Sequence, residues 1–180
     1  LSKWKKVLLD NAITPMQQFG YTTGKNATDS AMIIDAMDIL YSDKVDGFCI
    51  ASSDSDFTRL ATRIRETGLS VIGIGEKKTP SPFIAACDKF IYLEILSGKS
   101  TEEEEGATTE KTKEFETVDE ITPKVIRLLT QTVNDLADDD GWAFLGDVGG
   151  LLQKKQPNFD ARNFGFQKLT PFIKSIKQEQ

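Results

Sequence analysis

The sequence predicts an α/β fold, a parallel sheet flanked by helices, followed by a small helical or winged-helix domain. Three continuous apolar runs, at 46–51, 69–74 and 89–93, are bounded by turn residues or charge, a pattern typical of strands buried in a parallel sheet. Helical periodicity occupies the intervals between them, as in folds that alternate strands and helices. A second group of periodic helices begins near Ile121, after a long charged interval.

The other elements of the first 96 residues follow from periodicity and capping residues. We expect a short amphipathic helix over 2–11, a weakly alternating strand over 13–21, a helix from Asn26 to about Tyr41, a helix over 54–66 and a short helix over 79–87. With the three apolar runs, they form one predicted α/β domain over 1–96, with helices on both faces of its sheet.

The interval 97–118 differs in composition from both of its flanks. It holds seven acidic and three basic residues and almost no apolar ones, which predicts an acidic, flexible linker. Beyond it, helices are predicted over 121–136, 148–155 and 169–176, with a brief extended piece at Trp142. Short helices at this density predict a second small domain over 119–180.

Residue composition argues against several kinds of catalytic site. The chain contains no His, and Cys49 and Cys87 are in no metal-ligand spacing, which argues against zinc chemistry and His-based triads.

The net charge of −6 offers nucleic acid no general attraction, although residues 150–180 hold six basic and two acidic residues. Two lone Cys suit a reducing compartment. Because we find no signal peptide and no membrane-spanning run, we expect a cytoplasmic protein without membrane contact.

An acidic turn follows the first apolar run. The run from Gly47 to Ala51 ends in Ser52-Ser53-Asp54-Ser55-Asp56, and ligands of parallel sheets bind beyond the carboxyl ends of the strands. Two carboxylates at that edge are suitable ligands for Mg²⁺. The structural alternative is a capping box formed by Ser53 and Asp56 at a helix N-terminus. The same alternative applies to Asp29, in the first turn of the preceding helix, and spacing alone leaves both interpretations open.

Five motifs occur in a specific order in the first 96 residues. They are Gly24-Lys25-Asn26-Ala27-Thr28-Asp29, Ile34-Asp35-Ala36-Met37-Asp38, Ser52-Ser53-Asp54-Ser55-Asp56-Phe57, Val71-Ile72-Gly73-Ile74-Gly75 and Ala86-Cys87-Asp88-Lys89-Phe90-Ile91. In this order they resemble the NYN domain, the LabA-like branch of the PIN-like ribonuclease fold.

The resemblance implies a cluster of acids that holds Mg²⁺ or Mn²⁺ at the carboxyl edge of the sheet. Asp29 matches the family's helix-start acid, and Asp54 and Asp56 match its strand-end acids. The family's first acid, at the end of its first strand, has no matching position in this sequence. We expect the three matched acids to be both the metal ligands and the catalytic residues. The residues expected to assist them are Lys25, by contacting a phosphate, and Ser53 and Asp35, by supporting the acids.

The C-terminal region carries the motifs of a second family. They are Asp140-Gly141-Trp142, Gly146-Asp147-Val148-Gly149-Gly150-Leu151-Leu152, Lys154-Lys155, Pro157-x-Phe159-Asp160 and Asn163-Phe164-Gly165-Phe166. Together they resemble the OST-HTH, or LOTUS, domain, a winged-helix module that binds RNA. The basic residues predicted to face RNA phosphates are Lys154, Lys155, Arg162 and Lys168, with Lys174 and Lys177. Phe159, Phe164 and Phe166 suit base stacking or the domain core, and the burial preference of Phe favours the core.

The two resemblances together predict a metal-dependent ribonuclease with a C-terminal RNA-binding domain. Such hydrolysis requires no His, because carboxylates and divalent cations suffice to activate water and offset charge on the phosphodiester. Two alternatives remain open: a non-catalytic RNA-binding regulator, and a DNA-binding transcription factor that uses the C-terminal region as a helix-turn-helix. RNA is the expected partner, and a homodimer is left open.

Overall fold

The computed structural model describes residues 4–19, 27–96 and 119–176. They divide into two compact units, Leu1–Lys44 and Val45–Gln180. The predicted linker at 97–118, Lys25 and the predicted cap Asn26 lie outside the described residues, as does Lys177. No helix in the described part of the chain is long and apolar enough to cross a membrane.

The first unit contains two helices, α1 (Lys5–Asp10) and α2 (Ala27–Tyr41). Helix α1 ends where Asn11 Nδ2 donates to the Val7 carbonyl at 2.9 Å. The strand predicted over 13–21 is wrong for the residues that are described, because 13–19 adopt no regular structure. Pro15 has no backbone N–H to donate to a neighbouring strand, and the weak alternation gives this segment no apolar face to bury.

The second unit begins with a three-stranded parallel sheet, which confirms the predicted fold class. Its strands are β1 (Gly47–Ala51), β2 (Ser70–Gly75) and β3 (Lys89–Tyr92), in that order across the sheet. Gly47 aligns with Ser70 and Ile72 with Lys89, so the carboxyl ends of the three strands lie along one edge. Helix α3 (Thr58–Glu66) connects the first two strands, and α4 (Ser81–Ala86) connects the last two.

The core of the sheet lies on the face that α3 covers. Ala61 and Ile64 of α3 and Val71 of β2 have no exposed surface. In β2, Val71, Gly73 and Gly75 are the buried residues, because alternate strand residues point to the same face. A Cβ on Gly73 would lie 2.5 Å from Phe90 Cδ2, so the absence of a side chain in β2 lets the Phe90 ring pack against the strand. Burial also raises the pKa of the Cys87 thiol to about 11, which keeps it protonated at neutral pH.

The other face of the sheet is more open than the sequence predicts. Cys49 and Ala51 are exposed, and Ile72 is 38% exposed. The prediction of strands buried on both faces therefore fails for β1, which alternates between buried and exposed residues. Within this unit, the connecting helices α3 and α4 contact each other, and α3 contacts β2.

The C-terminal part of the second unit is helical in its described residues. It comprises α5 (Pro123–Leu136), α6 (Leu145–Lys155) and α7 (Leu169–Ile176), with a short 3-10 turn over Ala161–Phe164. Its core consists of Leu129, Val148, Leu152, Phe159, Ala161, Phe164 and Phe172. The predicted helix bounds agree with this arrangement to within a few residues, because amphipathic periodicity marks the buried face of each helix.

Candidate metal centre and nucleic-acid interface

The acidic turn is built directly onto the end of β1. The Ser52 amide donates to the Ile74 carbonyl at 2.9 Å, which extends the pairing with β2 by one residue. The chain then turns: the Asp54 amide donates to Ser52 Oγ at 3.1 Å, and the Asp56 amide donates to Asp54 Oδ1 at 3.0 Å. These local bonds fix Asp54 and Asp56 in one turn at the carboxyl edge of the sheet.

The N-terminal cap of this segment is Asp54, and the predicted Ser53–Asp56 capping box is wrong. Asp54 caps a 3-10 turn over Ser55–Phe57 that leads into α3. Ser53 Oγ instead accepts from the Glu76 amide at 2.9 Å. Ser53 therefore links the acidic turn to the loop after β2, and its role in supporting the acids remains a prediction. The cap hydrogen bond from the Asp56 amide engages only Oδ1 of Asp54, and the residue is exposed to solvent.

The other predicted acids belong to the first unit. Asp29 lies in the first turn of α2 and is partly buried, whereas Asp35 is exposed further along the helix. Their separation of six positions corresponds to about 240° around a helix, so Asp35 faces away from Asp29. Asp29 is at the helix end that favours anionic side chains. A carboxylate is favourable at this end of a helix without any ligand, and the place of Asp29 in a metal site remains a prediction.

Two of the predicted phosphate-binding residues are engaged within the C-terminal domain. Arg162 forms a two-point ion pair with Asp160, with Nε to Oδ1 at 3.0 Å and Nη2 to Oδ2 at 2.7 Å. Burial tends to raise the pKa of Asp160, but the hydrogen bonds from Arg162 outweigh it and the pKa is lowered. Lys155 Nζ contacts both Thr132 Oγ1, at 3.2 Å, and the Asp135 carboxylate.

The remaining described basic residues of the predicted surface point to solvent. Lys154 in α6, Lys168 before α7 and Lys174 in the last turn of α7 are exposed. Solvent-exposed ammonium groups can neutralise phosphates along a nucleic-acid backbone. The structure thus separates the predicted set into side chains that point to solvent and side chains, Lys155 and Arg162, that are already paired with acids of the same domain.

The aromatic residues of the C-terminal domain have two different environments. Phe159 and Phe164 are core residues at 6% and 7% exposure, and Phe166 packs against that core, as the burial preference predicts. Trp142 and Phe144 are instead 76% and 75% exposed. Trp142 and Phe144 are two positions apart and follow the Asp140-Gly141 turn. This spacing is the sequence signal for their common exposure, because alternate side chains of extended backbone point to the same side.

The acids around Trp142 and Phe144 disfavour a phosphate path across these rings. Asp138, Asp139, Asp140 and Asp147 are all exposed in the same part of the chain. Asp138 also orders the turn, since the Trp142 amide donates to Asp138 Oδ1 at 2.7 Å. Like charges repel the phosphate backbone, so the exposed lysines, and not this aromatic pair, are the candidate phosphate contacts.

Comparison with known families accounts for both parts of the chain. Residues 1–94 match the NYN domain, and residues 116–179 match the OST-HTH/LOTUS domain. The chain belongs to the NYN domain family. NYN is a nuclease-type domain, typically dependent on divalent metal, and OST-HTH domains bind RNA. Comparisons with curated proteins and with solved structures gave no match.

Proposed function

We propose that this NYN protein is a divalent-metal-dependent ribonuclease whose OST-HTH domain holds the RNA. The observation that carries the proposal is the acidic turn. Asp54 and Asp56 follow β1 directly at the carboxyl edge of a parallel sheet, where ligands of such sheets bind, and the turn lies within a nuclease-type domain.

The donor chemistry suits Mg²⁺ or Mn²⁺. Asp29, Asp54 and Asp56 can each offer one carboxylate oxygen, and hard divalent cations prefer oxygen ligands. Asp54 and Asp56 are exposed, so a cation could reach them while keeping some of its water. We infer that Asp29 contributes the third carboxylate, as the family resemblance predicts.

The side chains have separate tasks in this proposal. Asp29, Asp54 and Asp56 hold the cation, and Ser53 keeps the turn in place through its bond with the Glu76 amide. A bound divalent cation supplies an activated water and offsets negative charge on the phosphodiester. Because the described acids need not transfer a proton through His, the absence of His from the chain is compatible with the reaction.

The exposed lysines provide the proposed RNA contacts. Lys154, Lys168 and Lys174 belong to the domain that matches an RNA-binding family, and each can release counterions from phosphate. Lys25 is a further proposed phosphate contact. We assign Lys155 and Arg162 mainly to the stability of the domain, since both already contact acids there.

The Asp54→Asn variant tests the nuclease proposal. Asn retains an oxygen that can accept from the Asp56 amide, and Asn is as good an N-cap as Asp, so the fold should change little. With Mn²⁺ and a single-stranded RNA, wild type should cleave and the variant should lose cleavage. A chelator should abolish wild-type cleavage.

The matched control is Asp46→Asn, which removes an exposed acid before the amino end of β1. It should cleave RNA like the wild type. Full cleavage by Asp54→Asn would contradict the proposal, as would a wild type that cleaves equally with and without chelator. A wild type that binds RNA without cleaving it would favour the non-catalytic regulator, and preference for duplex DNA would favour the transcription factor.

A further inference from the structure

The outer edge of β3 is covered by the C-terminal domain. The Phe90 amide donates to the Pro157 carbonyl at 2.8 Å, although β3 pairs with β2 on its other side. An edge strand exposes unpaired backbone groups that proteins usually protect. Here the segment after α6 supplies the acceptor, and Phe90 is only 2% exposed.

A side-chain hydrogen bond lies beside this backbone contact. Asn158 Nδ2 donates to the Tyr92 hydroxyl at 2.8 Å, and Tyr92 is 6% exposed. Asn158 is in turn held from within the C-terminal domain, because Asn163 Nδ2 donates to the Asn158 carbonyl at 2.8 Å. Asn163 is buried at 1% exposure. Asn163 therefore holds the Pro157–Asn158 segment within the C-terminal domain. The segment contacts β3 through the Pro157 carbonyl and the Asn158 side chain.

A third contact connects the docked domain with the loop after β2. Lys77 Nζ lies 3.4 Å from Asp119 Oδ1, and the Asp119 amide donates to the Asn163 carbonyl at 2.8 Å. Lys77 adjoins Glu76, whose amide bonds Ser53. The same loop thus contacts the acidic turn through Ser53 and the C-terminal domain through Asp119.

Two of these contacts lie at the carboxyl end of the sheet, where Asp54 and Asp56 follow β1. Tyr92 ends β3, and Lys77 follows the carboxyl end of β2. Neighbouring strands are about 4.8 Å apart, so β1 and β3 are separated by about 10 Å. The Tyr92–Asn158 and Lys77–Asp119 contacts therefore lie at the same carboxyl end of the sheet as Asp54, within one compact unit.

We propose that the Pro157–Asn158 segment docks the OST-HTH domain on β3 and thereby fixes where bound RNA meets the acidic turn. This inference rests on the proposed ribonuclease function. A domain docked at a fixed position presents its bound RNA to the acidic turn in a narrow range of orientations, because a reactant that is already positioned does not have to search for the site. The domain then determines the position of the cut relative to the bound RNA element, in addition to increasing affinity.

Hydrogen exchange at the Phe90 amide tests docking without any reference to catalysis. The variants are Tyr92→Phe, which removes one hydroxyl and keeps the ring, and Asn158→Ala. Each should increase the exchange rate at Phe90 by about fivefold, the effect of one ordinary hydrogen bond, because the edge amide opens more often. Ser175→Ala, which removes a hydroxyl bonded to Phe172 inside α7, should leave Phe90 exchange unchanged.

RNA cleavage then tests the functional consequence. On a long RNA with Mn²⁺, the wild type should cut within a narrow window, whereas Tyr92→Phe combined with Asn158→Ala should cut over a wider range. On a short single-stranded RNA, the double variant should cut at the wild-type rate.

An unprotected Phe90 amide in the wild type would overturn the docking, and an unchanged cleavage window with increased exchange would overturn its positioning role. No cleavage by wild type would contradict the ribonuclease instead, and the exchange result would still decide whether docking occurs.

Discussion

At the scale of single residues, the charges of Asp160 and Arg162 stabilise the fold by pairing with each other. Asp160 and Arg162 share two hydrogen bonds and are each largely buried, at 15% and 28% side-chain exposure. Asp160 also accepts from the Arg162 amide at 2.9 Å, which caps the 3-10 turn of the C-terminal domain. The pair therefore orders the segment that follows the docking residues, and it leaves the Arg162 guanidinium less available to RNA.

Asp160→Asn should destabilise the C-terminal domain by about 1.5–3 kcal/mol, the usual contribution of hydrogen bonds to a charged group. Because the folded pKa of Asp160 is below its ordinary value of 3.8, the ionised pair stabilises the fold above about pH 4. That stabilisation is lost as pH falls through the folded pKa. Denaturant unfolding at pH 7 and pH 3 should show a smaller pH dependence for Asp160→Asn than for wild type. Equal pH dependence would contradict a lowered pKa.

The sequence identifies the candidate residues but not their hydrogen-bond partners. Asp54 and Asp56 are recognisable from the strand that precedes them, since a strand end defines the edge of the sheet. Asp54 rather than Ser53 caps the turn, because the Ser53 hydroxyl accepts from the Glu76 amide. Glu76 lies 23 positions away from Ser53. In the same way, Lys155 meets Asp135 across two helices, a contact that no local pattern in the sequence encodes.

At the scale of elements, two glycines allow β2 to pack closely against its surroundings. Gly73 admits the Phe90 ring, whereas a Cβ on Gly75 would lie 2.6 Å from the Ser52 carbonyl oxygen and 2.8 Å from Thr79 Oγ1. A backbone atom cannot rotate away as a flexible side chain can. Gly75 therefore sets how closely β2 approaches the residue that begins the acidic turn.

Gly75→Ala should destabilise the fold by about 1–3 kcal/mol through overpacking and should lower metal-dependent cleavage, because the clash displaces Ser52. Thermal melting and RNA cleavage measure the two effects. The control is Gly150→Ala in α6, where a Cβ meets no atom within 4 Å. There the substitution should stabilise by about 0.5–1 kcal/mol, the usual helix preference for Ala over Gly, with cleavage unchanged. Gly75→Ala with wild-type melting would contradict the close approach.

Element predictions from the sequence succeed where apolar periodicity is strong. The three sheet strands and helices α5 and α7 follow their apolar patterns, because the buried face selects the period. The predicted strand over 13–21 rested on weak alternation and contained Pro15, and residues 13–19 are irregular. Exposure of Cys49 was not predictable either, since burial of a strand face depends on which helices cover it.

At the scale of the whole molecule, the exposed lysines provide the electrostatic component of RNA binding. Lys154→Glu with Lys168→Glu should weaken RNA binding and reduce its salt dependence, because fewer counterions are released. Lys155→Met should instead affect stability through Asp135 and Thr132, with a nearly unchanged salt slope. Filter binding over a range of salt concentrations measures both. An unchanged slope in the double variant would place the RNA on another surface.

Two-domain organisation was predictable from composition, whereas docking was not. The charged interval 97–118 separates two apolar regions, and families match on either side of it. The predicted domain limits and flexible linker remain predictions, which limited proteolysis within 97–118 can test. The contact between Phe90 and Pro157 joins residues 67 positions apart through backbone atoms, and backbone hydrogen bonds leave no specific signature in a sequence.

The most direct test of the central claim is a titration of Mn²⁺ into wild type, Asp54→Asn and Asp29→Asn, with free Mn²⁺ measured by electron paramagnetic resonance. If the three acids hold one cation, both variants should bind Mn²⁺ about tenfold or more weakly, because a lost ligand costs at least as much as a lost supporting residue. Asp38→Asn, an exposed acid on the same helix as Asp29, should bind like the wild type. Wild-type Mn²⁺ affinity in Asp29→Asn, or no binding by the wild type, would contradict the three-acid site.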